Sequence, residues 1–164
     1  MLAANPCPCG QWGSPDGGCT CPSAARRRYL GRLSGPLLDR VDIRVRLDRV
    51  SVAELRVADE SPVVSTAEAR QRVVQARERA GARLTGTPWR VNAEVPGAWL
   101  RDSRRRIDAA VRAPLDAALE RGLLTMRGYD RVLKLSWTLA DLAALDRPGR
   151  HQIGSALALR STVR

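Results

Sequence analysis

All four cysteines of the chain lie in its first 21 residues, as two Cys-x-Cys pairs. They are Cys7, Cys9, Cys19 and Cys21, and the loop between the pairs is rich in glycine. Four thiolates are a donor set that zinc adopts in structural sites, where the protein leaves no coordination position open. The spacing therefore predicts a structural zinc site with four cysteine ligands, with free structural thiols, an iron–sulfur cluster or disulfides as the alternatives.

The composition of the chain is strongly basic and poor in aromatic residues. Lys and Arg total 28 against 17 acidic residues, and Lys134 is the only lysine. A GC-rich coding sequence would explain the preference for arginine over lysine, but not the net charge of +11. That charge favours partners that carry phosphate. With 4% aromatic residues and no Phe, we expect a thin, mostly helical core of Ala and Leu.

The sequence has no segment that predicts a membrane span or a signal peptide. No apolar run reaches the ~18 residues that a spanning helix needs, and the first residues lack a basic-then-apolar layout. We therefore expect a cytoplasmic protein without a membrane partner. Thiols stay reduced in the cytoplasm, which favours metal ligation over disulfides.

The N-terminal half predicts two helices and one strand. Ser23 precedes a basic helix over residues 24–33, and residues 41–47 alternate apolar and polar side chains, as a strand with one buried face does. A second, longer helix is predicted from Ser65 to Leu84. Ser65 and Glu68 fit the capping box at its start.

The C-terminal half predicts a small bundle of three helices after a turn-rich segment at residues 85–97. The first helix covers roughly 100–121, with a candidate break at Pro114. The second is capped by Thr125, and the third starts near Pro148. Apolar residues recur at spacings of three and four in the second helix, as in a helix with one buried face.

Several motifs together carry a resemblance to a known family. They are NPCPCG, the second Cys-x-Cys, RYLGRLSGPLLDRVDI and RGYDRVLK followed by TLADL. In this order and spacing, from Ala3 to about Arg160, they resemble the C-terminal portion of the magnesium-chelatase-like AAA+ ATPases of the ComM and YifB group. The resemblance implies the end of an α/β AAA+ core (strand, zinc-clip loop, helix, strand) over 1–60. A connecting helix and linker would follow over 61–97, and a helical lid domain over 98–164.

The resemblance also implies roles for four residues. Asn5 would be sensor 1, which orients the attacking water, and Arg40 would be the finger that reaches a neighbouring subunit's nucleotide. Arg127 would be sensor 2, with Arg131 as the second choice. The alternative is structural: Arg40 would pair with Asp39 or Asp42, and the two later arginines would be solvated helix charges.

The sequence departs from the family pattern in one large respect. No G-x-x-x-x-G-K-[ST] loop to hold phosphates (Walker A) and no acidic strand end to hold magnesium (Walker B) precede Asn5. We therefore expect a fragment or a truncated relative that does not hydrolyse ATP alone, so that ATP and Mg²⁺ belong to the full-length protein.

For that full-length protein the resemblance implies a homo-oligomeric ring acting on DNA, in branch migration during natural transformation. One alternative is a stand-alone, zinc-containing, basic nucleic-acid-binding protein whose helix over 24–33 contacts phosphates. A non-functional and poorly folded truncation product is the other.

Overall fold

The computed structural model describes residues 1–14, 17–47, 50–60, 64–102 and 107–161. Within these ranges the regular elements are helices and one 3-10 turn over Asn92–Glu94. The helices are α1 (Ser23–Leu30), α2 (Gly35–Asp39), α3 (Val52–Glu60), α4 (Thr66–Arg83), α5 (Gly97–Arg101), α6 (Ala109–Glu120), α7 (Met126–Leu142) and α8 (Arg150–Ser161). None of them is both long enough and apolar enough to cross a membrane.

The chain divides into two compact units. The first comprises residues 1–41 and 46–61, and the second comprises residues 42–45 and 62–164. These compact units do not test the assignment of domains to 1–60, 61–97 and 98–164, which stays a prediction.

The first unit is built from short helices with little apolar burial. Cys7 is its only buried residue among those whose side chains the structure describes. The predicted basic helix is present as α1, but it ends at Leu30 and Ser23 does not cap it; Pro22 is the N-cap residue. Ser34 caps α2 through a hydrogen bond from the Leu37 N–H to its Oγ.

The predicted strand at residues 41–47 is absent, so the α/β core expected from the sequence is not supported. Ile43, Val45 and Leu47 are 47%, 61% and 89% exposed, and no described residue of the chain forms a sheet. A strand is stable only when its backbone groups pair with another strand, and alternation along the sequence does not supply that partner. The Arg44 N–H instead donates to the carbonyl of Leu159.

The second unit is a bundle around α7, which contacts α4, α5, α6, α8 and the 3-10 turn. The predicted apolar face of α7 is confirmed, with Tyr129, Val132 and Leu133 at 5% exposure or less. Thr125 caps the helix as predicted, by accepting a hydrogen bond from the Gly128 N–H. The core contains Leu84, Val95, Leu100, Ile107, Leu115, Tyr129, Val132, Leu133, Leu135, Trp137, Ile153 and Ala156.

Helix α4 has the predicted capping box. The Ser65 hydroxyl accepts from the Glu68 N–H, and the Glu68 carboxylate accepts from the Ser65 N–H. The Ser65 N–H and the Ser65 hydroxyl both donate to the Glu68 carboxylate, and they lower the pKa of Glu68 because they stabilise its charged form. Ala76 and Ala80 are the buried residues of the helix, so small side chains let α4 lie close against α7.

A buried ion pair joins α4 to α7. Arg83 donates from Nη1 and Nη2 to the two carboxylate oxygens of Asp141, at 2.5 and 2.8 Å. Asn92 donates to the same carboxylate at 2.8 Å and accepts from Arg83. Asp141 is 2% exposed, and the Arg83 guanidinium also lies 4.4 Å from the centre of the Trp137 ring.

Pro114 does not break its helix, contrary to the sequence prediction. It lies inside α6, which begins at Ala109 after a separate short helix, α5. Proline has no N–H, so the carbonyl of Ala110, four residues earlier, loses its helical donor. The Nε of Arg150, which lies outside α6, donates to that carbonyl at 3.2 Å and so provides the missing hydrogen bond.

Helix α7 ends at Leu142, and two residues later Ala144 adopts a left-handed backbone conformation. Ala144 has a φ of 56°, and the N–H groups of Ala144 and Leu145 donate to the carbonyls of Asp141 and Ala140. This hydrogen-bond pattern closes a Schellman motif, in which glycine is preferred because a Cβ is strained at positive φ.

Replacing Asp141 should destabilise the second unit. In Asp141→Ala the half-buried guanidinium of Arg83 and the side chain of Asn92 lose their shared acceptor, and we expect a loss of about 3 kcal/mol in the free energy of unfolding. Urea denaturation monitored by tryptophan fluorescence measures this. Asp146→Asn, at an exposed position, is the control and should stay within about 0.5 kcal/mol of the parent.

Replacing Ala144 by glycine should stabilise the protein. The change relieves strain at a φ of 56°, and we expect a gain of about 0.5–1 kcal/mol, less the entropy that glycine adds to the unfolded chain. A higher midpoint in thermal unfolding would support this result, whereas a lower midpoint would contradict the assigned backbone geometry.

Candidate functional site

The four cysteines of the first unit converge on one point. The Sγ atoms of Cys7 and Cys9 are 3.3 Å apart, those of Cys7 and Cys19 are 3.7 Å apart, and those of Cys9 and Cys19 are 3.8 Å apart. With Cys21 included, all four sulfurs lie within 4.8 Å of one another. The structure thus brings together the complete ligand set predicted from the sequence.

These distances fit four thiolates around one metal ion. Tetrahedral coordination with metal–sulfur bonds of about 2.3 Å places the sulfurs about 3.8 Å apart. A disulfide would need about 2.05 Å between the sulfurs, and the four cysteines are free thiols. The donor set and its spacing therefore fit a single metal ion.

Backbone turns and nearby donors hold the cluster. The Gly10 N–H donates to the Cys7 carbonyl in a tight turn, and Gly10 has a φ of 76° that favours glycine. The Trp12 N–H donates to the Cys7 sulfur at 3.3 Å. Arg26 reaches back from α1 and donates to the Cys21 carbonyl and the Cys19 sulfur. Such second-layer donors orient ligands and offset the charge of thiolates.

The surroundings of Cys7 and Cys21 shift the pKa values of these two thiols in opposite directions. Burial disfavours the thiolate of Cys7, but hydrogen bonds from Cys9 and from the Trp12 N–H lower the pKa of Cys7 from 9.0 to about 6. The pKa of Cys21 is raised to about 11, first by its hydrogen bond to Cys9. A metal ion would replace the proton shared among these sulfurs.

A second candidate site is a basic cavity of about 720 Å³ in the second unit. Its lining includes the N-terminal half of α7 and side chains from α5 and from the residues before α5. Four cationic side chains contribute to it: Arg101, Arg127, Arg131 and Lys134. Two carboxylates, those of Asp42 and Asp130, lie among them.

Most residues of the RGYDR motif have partners within the fold. Tyr129 donates from its hydroxyl to Asp116 at 2.6 Å, and burial together with this carboxylate raises the pKa of Tyr129 to about 12. Asp130 is paired with Arg101, and Arg131 with Asp42. Gly128 is buried where a Cβ would lie 3.3 Å from Nη2 of Arg160.

Arg127 differs from its neighbours. It is exposed and lines the cavity, and its guanidinium has no hydrogen bond or ion pair within the described part of the chain. Lys134 donates to the carbonyl of Ala93, so it is already engaged. Arg127 is therefore available to a ligand, whereas Arg131 is engaged in an ion pair with Asp42.

Asn5 and Arg40, the other two predicted site residues, lie in the first unit. Asn5 is exposed, and its side chain lies against Gly10 of the cysteine turn. Arg40 is exposed at the C-terminal end of α2, where its Nη1 donates to the Pro36 carbonyl at 2.9 Å. It precedes no strand, unlike the sequence prediction, and Asp42 pairs with Arg131.

Comparison with protein families identifies the class of the chain. Residues 64–160 match the family described as magnesium chelatase, subunit ChlI C-terminal, and residues 1–55 match the family described as magnesium chelatase, subunit ChlI. The chain belongs to this magnesium-chelatase-like family, as its motifs predicted.

Three relatives show which branch of the family the chain resembles. An uncharacterized protein of Mycobacterium tuberculosis is 49% identical over 162 residues, which is 99% of this chain and 31% of the relative. The competence protein ComM of Haemophilus influenzae is 32% identical, covering 100% of this chain and 31% of ComM. The uncharacterized protein YifB of Escherichia coli is 30% identical, over 98% of this chain and 30% of YifB. The chain spans about a third of the length of these relatives.

Mutation of one cysteine should abolish metal binding. We expect the purified chain to carry one metal ion, and Cys7→Ser to carry none, because Cys7 is the buried ligand and three thiolates leave the site open. Native mass spectrometry with elemental analysis measures the stoichiometry. Thr20→Ala, between Cys19 and Cys21, should bind metal as the parent does. Four reactive thiols in the purified parent, without metal, would refute the site.

Proposed function

We propose that this chain is the sensor and finger module of a magnesium-chelatase-like AAA+ ATPase. The observation that carries the proposal is the contrast within one helix turn: Arg131 is neutralised by Asp42, whereas Arg127 lines the same basic cavity without a partner among the described residues. An unpaired guanidinium suits phosphate, which it binds through two parallel hydrogen bonds. Arg127 is therefore assigned as sensor 2 in preference to Arg131.

Arg40 and Asn5 complete the proposed set. Arg40 is exposed at the end of a capped helix, and its guanidinium donates to the backbone carbonyl of Pro36, a bond that it can exchange for a phosphate at modest cost. Asn5 is exposed beside the cysteine turn and would orient the attacking water as sensor 1. Phosphoryl transfer depends mainly on positioning and charge stabilisation, which are the contributions these side chains can make.

The metal is proposed to be zinc, in a structural role. Four cysteine ligands leave no position for water or substrate, so the ion contributes folding energy and not catalysis. Cys7 is the one buried described side chain of the first unit, so the metal would serve in place of an apolar core there. It would thereby fix Asn5, which lies two residues before the first ligand.

The proposal extends to the complete assembly. A finger arginine acts on a neighbour's nucleotide, so the module would work in a homo-oligomeric ring that binds ATP and Mg²⁺ through residues outside this sequence. One relative is named a competence protein, and we propose a motor acting on DNA in branch migration during natural transformation. This chain alone would not hydrolyse ATP, since its sequence has no phosphate-binding loop.

A subunit-mixing experiment tests the two arginine roles. In a chimera, this chain replaces the matching third of the Mycobacterium tuberculosis relative, and ATP hydrolysis is measured. Arg40→Ala and Arg127→Ala should each lower the rate by about 10³-fold or more, as loss of a phosphate-contacting arginine does. Arg121→Ala, exposed at the end of α6, is the control and should leave the rate unchanged.

The mixtures separate a finger from a sensor. Subunits with Arg40→Ala should regain activity when mixed with subunits whose own nucleotide site is disabled, because the second kind supplies the finger across the interface. Subunits with Arg127→Ala should gain nothing, because sensor 2 acts within its own subunit. Full activity of the Arg127→Ala chimera together with loss in Arg131→Ala would transfer the sensor role to Arg131.

A further inference from the structure

Trp12 and Arg26 stand together on the surface of the first unit, and three more exposed arginines follow Arg26 in sequence. Trp12 lies in the loop between the cysteine pairs and is 46% exposed. Its backbone N–H is fixed to the Cys7 sulfur, so the cysteine cluster determines where the indole stands. The Arg26 guanidinium lies 5.3 Å from the ring centre, in a cation–π contact that covers part of the ring.

The arginines that follow Arg26 are not used by the fold. Arg27 and Arg28 lie in α1 and Arg32 lies just after it, and all three are exposed. None of their three guanidinium groups has a hydrogen bond or ion pair to any residue that the structure describes. Arg26, by contrast, is committed to the cysteines and to Trp12.

The charge of this surface has one sign. Residues 17–38 contain four arginines and no acidic residue. A metal centre with four thiolates carries negative charge, but Arg26 and the Trp12 N–H are directed at the sulfurs and offset it. Arg27 and Arg28 therefore present positive charge on a helix of eight residues, about 12 Å long, and Arg32 adds to it two residues past the end of that helix.

We propose that Trp12, Arg27, Arg28 and Arg32 form a binding surface for single-stranded nucleic acid. A base stacks on the open part of the indole, and the three guanidinium groups contact phosphates next to it. Stacking on an aromatic ring beside a positively charged groove is how proteins bind single strands without reading sequence. A duplex keeps its bases stacked within the helix and offers only its phosphates, so this surface favours a single strand.

This inference concerns the DNA partner in the proposed function, but it does not depend on the nucleotide-contacting arginines. The test uses the metal-loaded chain with no ATP, so its failure and the failure of the sensor assignment are separate results. The probe is a fluorescently labelled oligothymidine of about 15 nucleotides, within the span that one such surface covers, and binding is followed by anisotropy over a range of salt concentrations.

The first comparison is between two triple variants with the same change in net charge. R27Q/R28Q/R32Q removes the three arginines of the proposed surface, and R70Q/R72Q/R77Q removes three exposed arginines of α4. We expect the first to lower affinity at least about tenfold and to reduce the slope of log affinity against log salt by about 2, since single strands give about 0.7 per neutralised phosphate. The α4 variant should stay close to the parent.

The second comparison isolates stacking from charge. Because Trp12 contacts the cluster through its backbone N–H, Trp12→Leu leaves that bond in place. We expect its affinity to fall roughly tenfold with an unchanged salt slope, as on loss of one base–aromatic stack. Oligothymidine should quench the tryptophan fluorescence of the parent and not that of Trp12→Leu. Metal content is measured for both proteins, so that a loss caused by an emptied cluster is recognised.

Three results would overturn the proposal. They are no binding of the parent to oligothymidine at low salt, equal losses in the two triple variants, and fluorescence quenching that persists in Trp12→Leu with its metal bound. Equal losses would mean that net charge alone attracts the strand. Persistent quenching would place the stacked base on another tryptophan.

Discussion

The second unit depends on the carboxylate of Asp141. This single group accepts both arms of the Arg83 guanidinium and the side-chain amide of Asn92, while its own residue is 2% exposed. It thereby joins α7 to Arg83 of α4 and Asn92 of the 3-10 turn, which are 58 and 49 positions away in sequence. A buried charge is tolerated only when paired and fully hydrogen-bonded. The resulting geometry fixes α7, and α7 carries Arg127 and Arg131 of the basic cavity.

The RGYDR segment shows how structural and functional demands share one helix. Its glycine, tyrosine, aspartate and second arginine each contact another element of the second unit, so a change at these positions acts first on the fold. The guanidinium of its first arginine has no hydrogen bond or ion pair with any of the described residues. The same five-residue motif therefore contains four residues that support the fold and one residue that is available to a ligand. The sequence does not distinguish these two groups, whereas the contacts in the folded structure do.

The first unit has a different source of order. Its described helices bury almost no apolar surface, and its one buried side chain is a cysteine ligand. Small domains with too little apolar core are commonly stabilised by metals or disulfides. A metal held by Cys7, Cys9, Cys19 and Cys21 would supply the stabilisation that the first unit does not gain from an apolar core. Trp12 and Arg26 both donate hydrogen bonds to sulfurs of this cluster. Loss of the metal would therefore also disrupt the proposed binding surface.

Local features of this protein follow from residues that are close together in the chain. They include the Ser65–Glu68 capping box, the Thr125 cap, the apolar face of α7 and the cysteine ligand set, and the motifs also predicted membership of the family. The α/β core could not be predicted in this way, because a strand at residues 41–47 needs a neighbouring strand that no described residue supplies.

Two further outcomes depend on contacts between distant parts of the chain. Pro114 lies inside α6, and Arg150, 36 positions later, donates to the carbonyl that proline leaves without a helical donor. The distinction between Arg127 and Arg131 likewise depends on Asp42, which pairs with Arg131 across 89 positions of sequence. Periodicity and capping patterns describe neighbours along one element, so they carry no information about such partners. The packing of the folded chain brings these groups together.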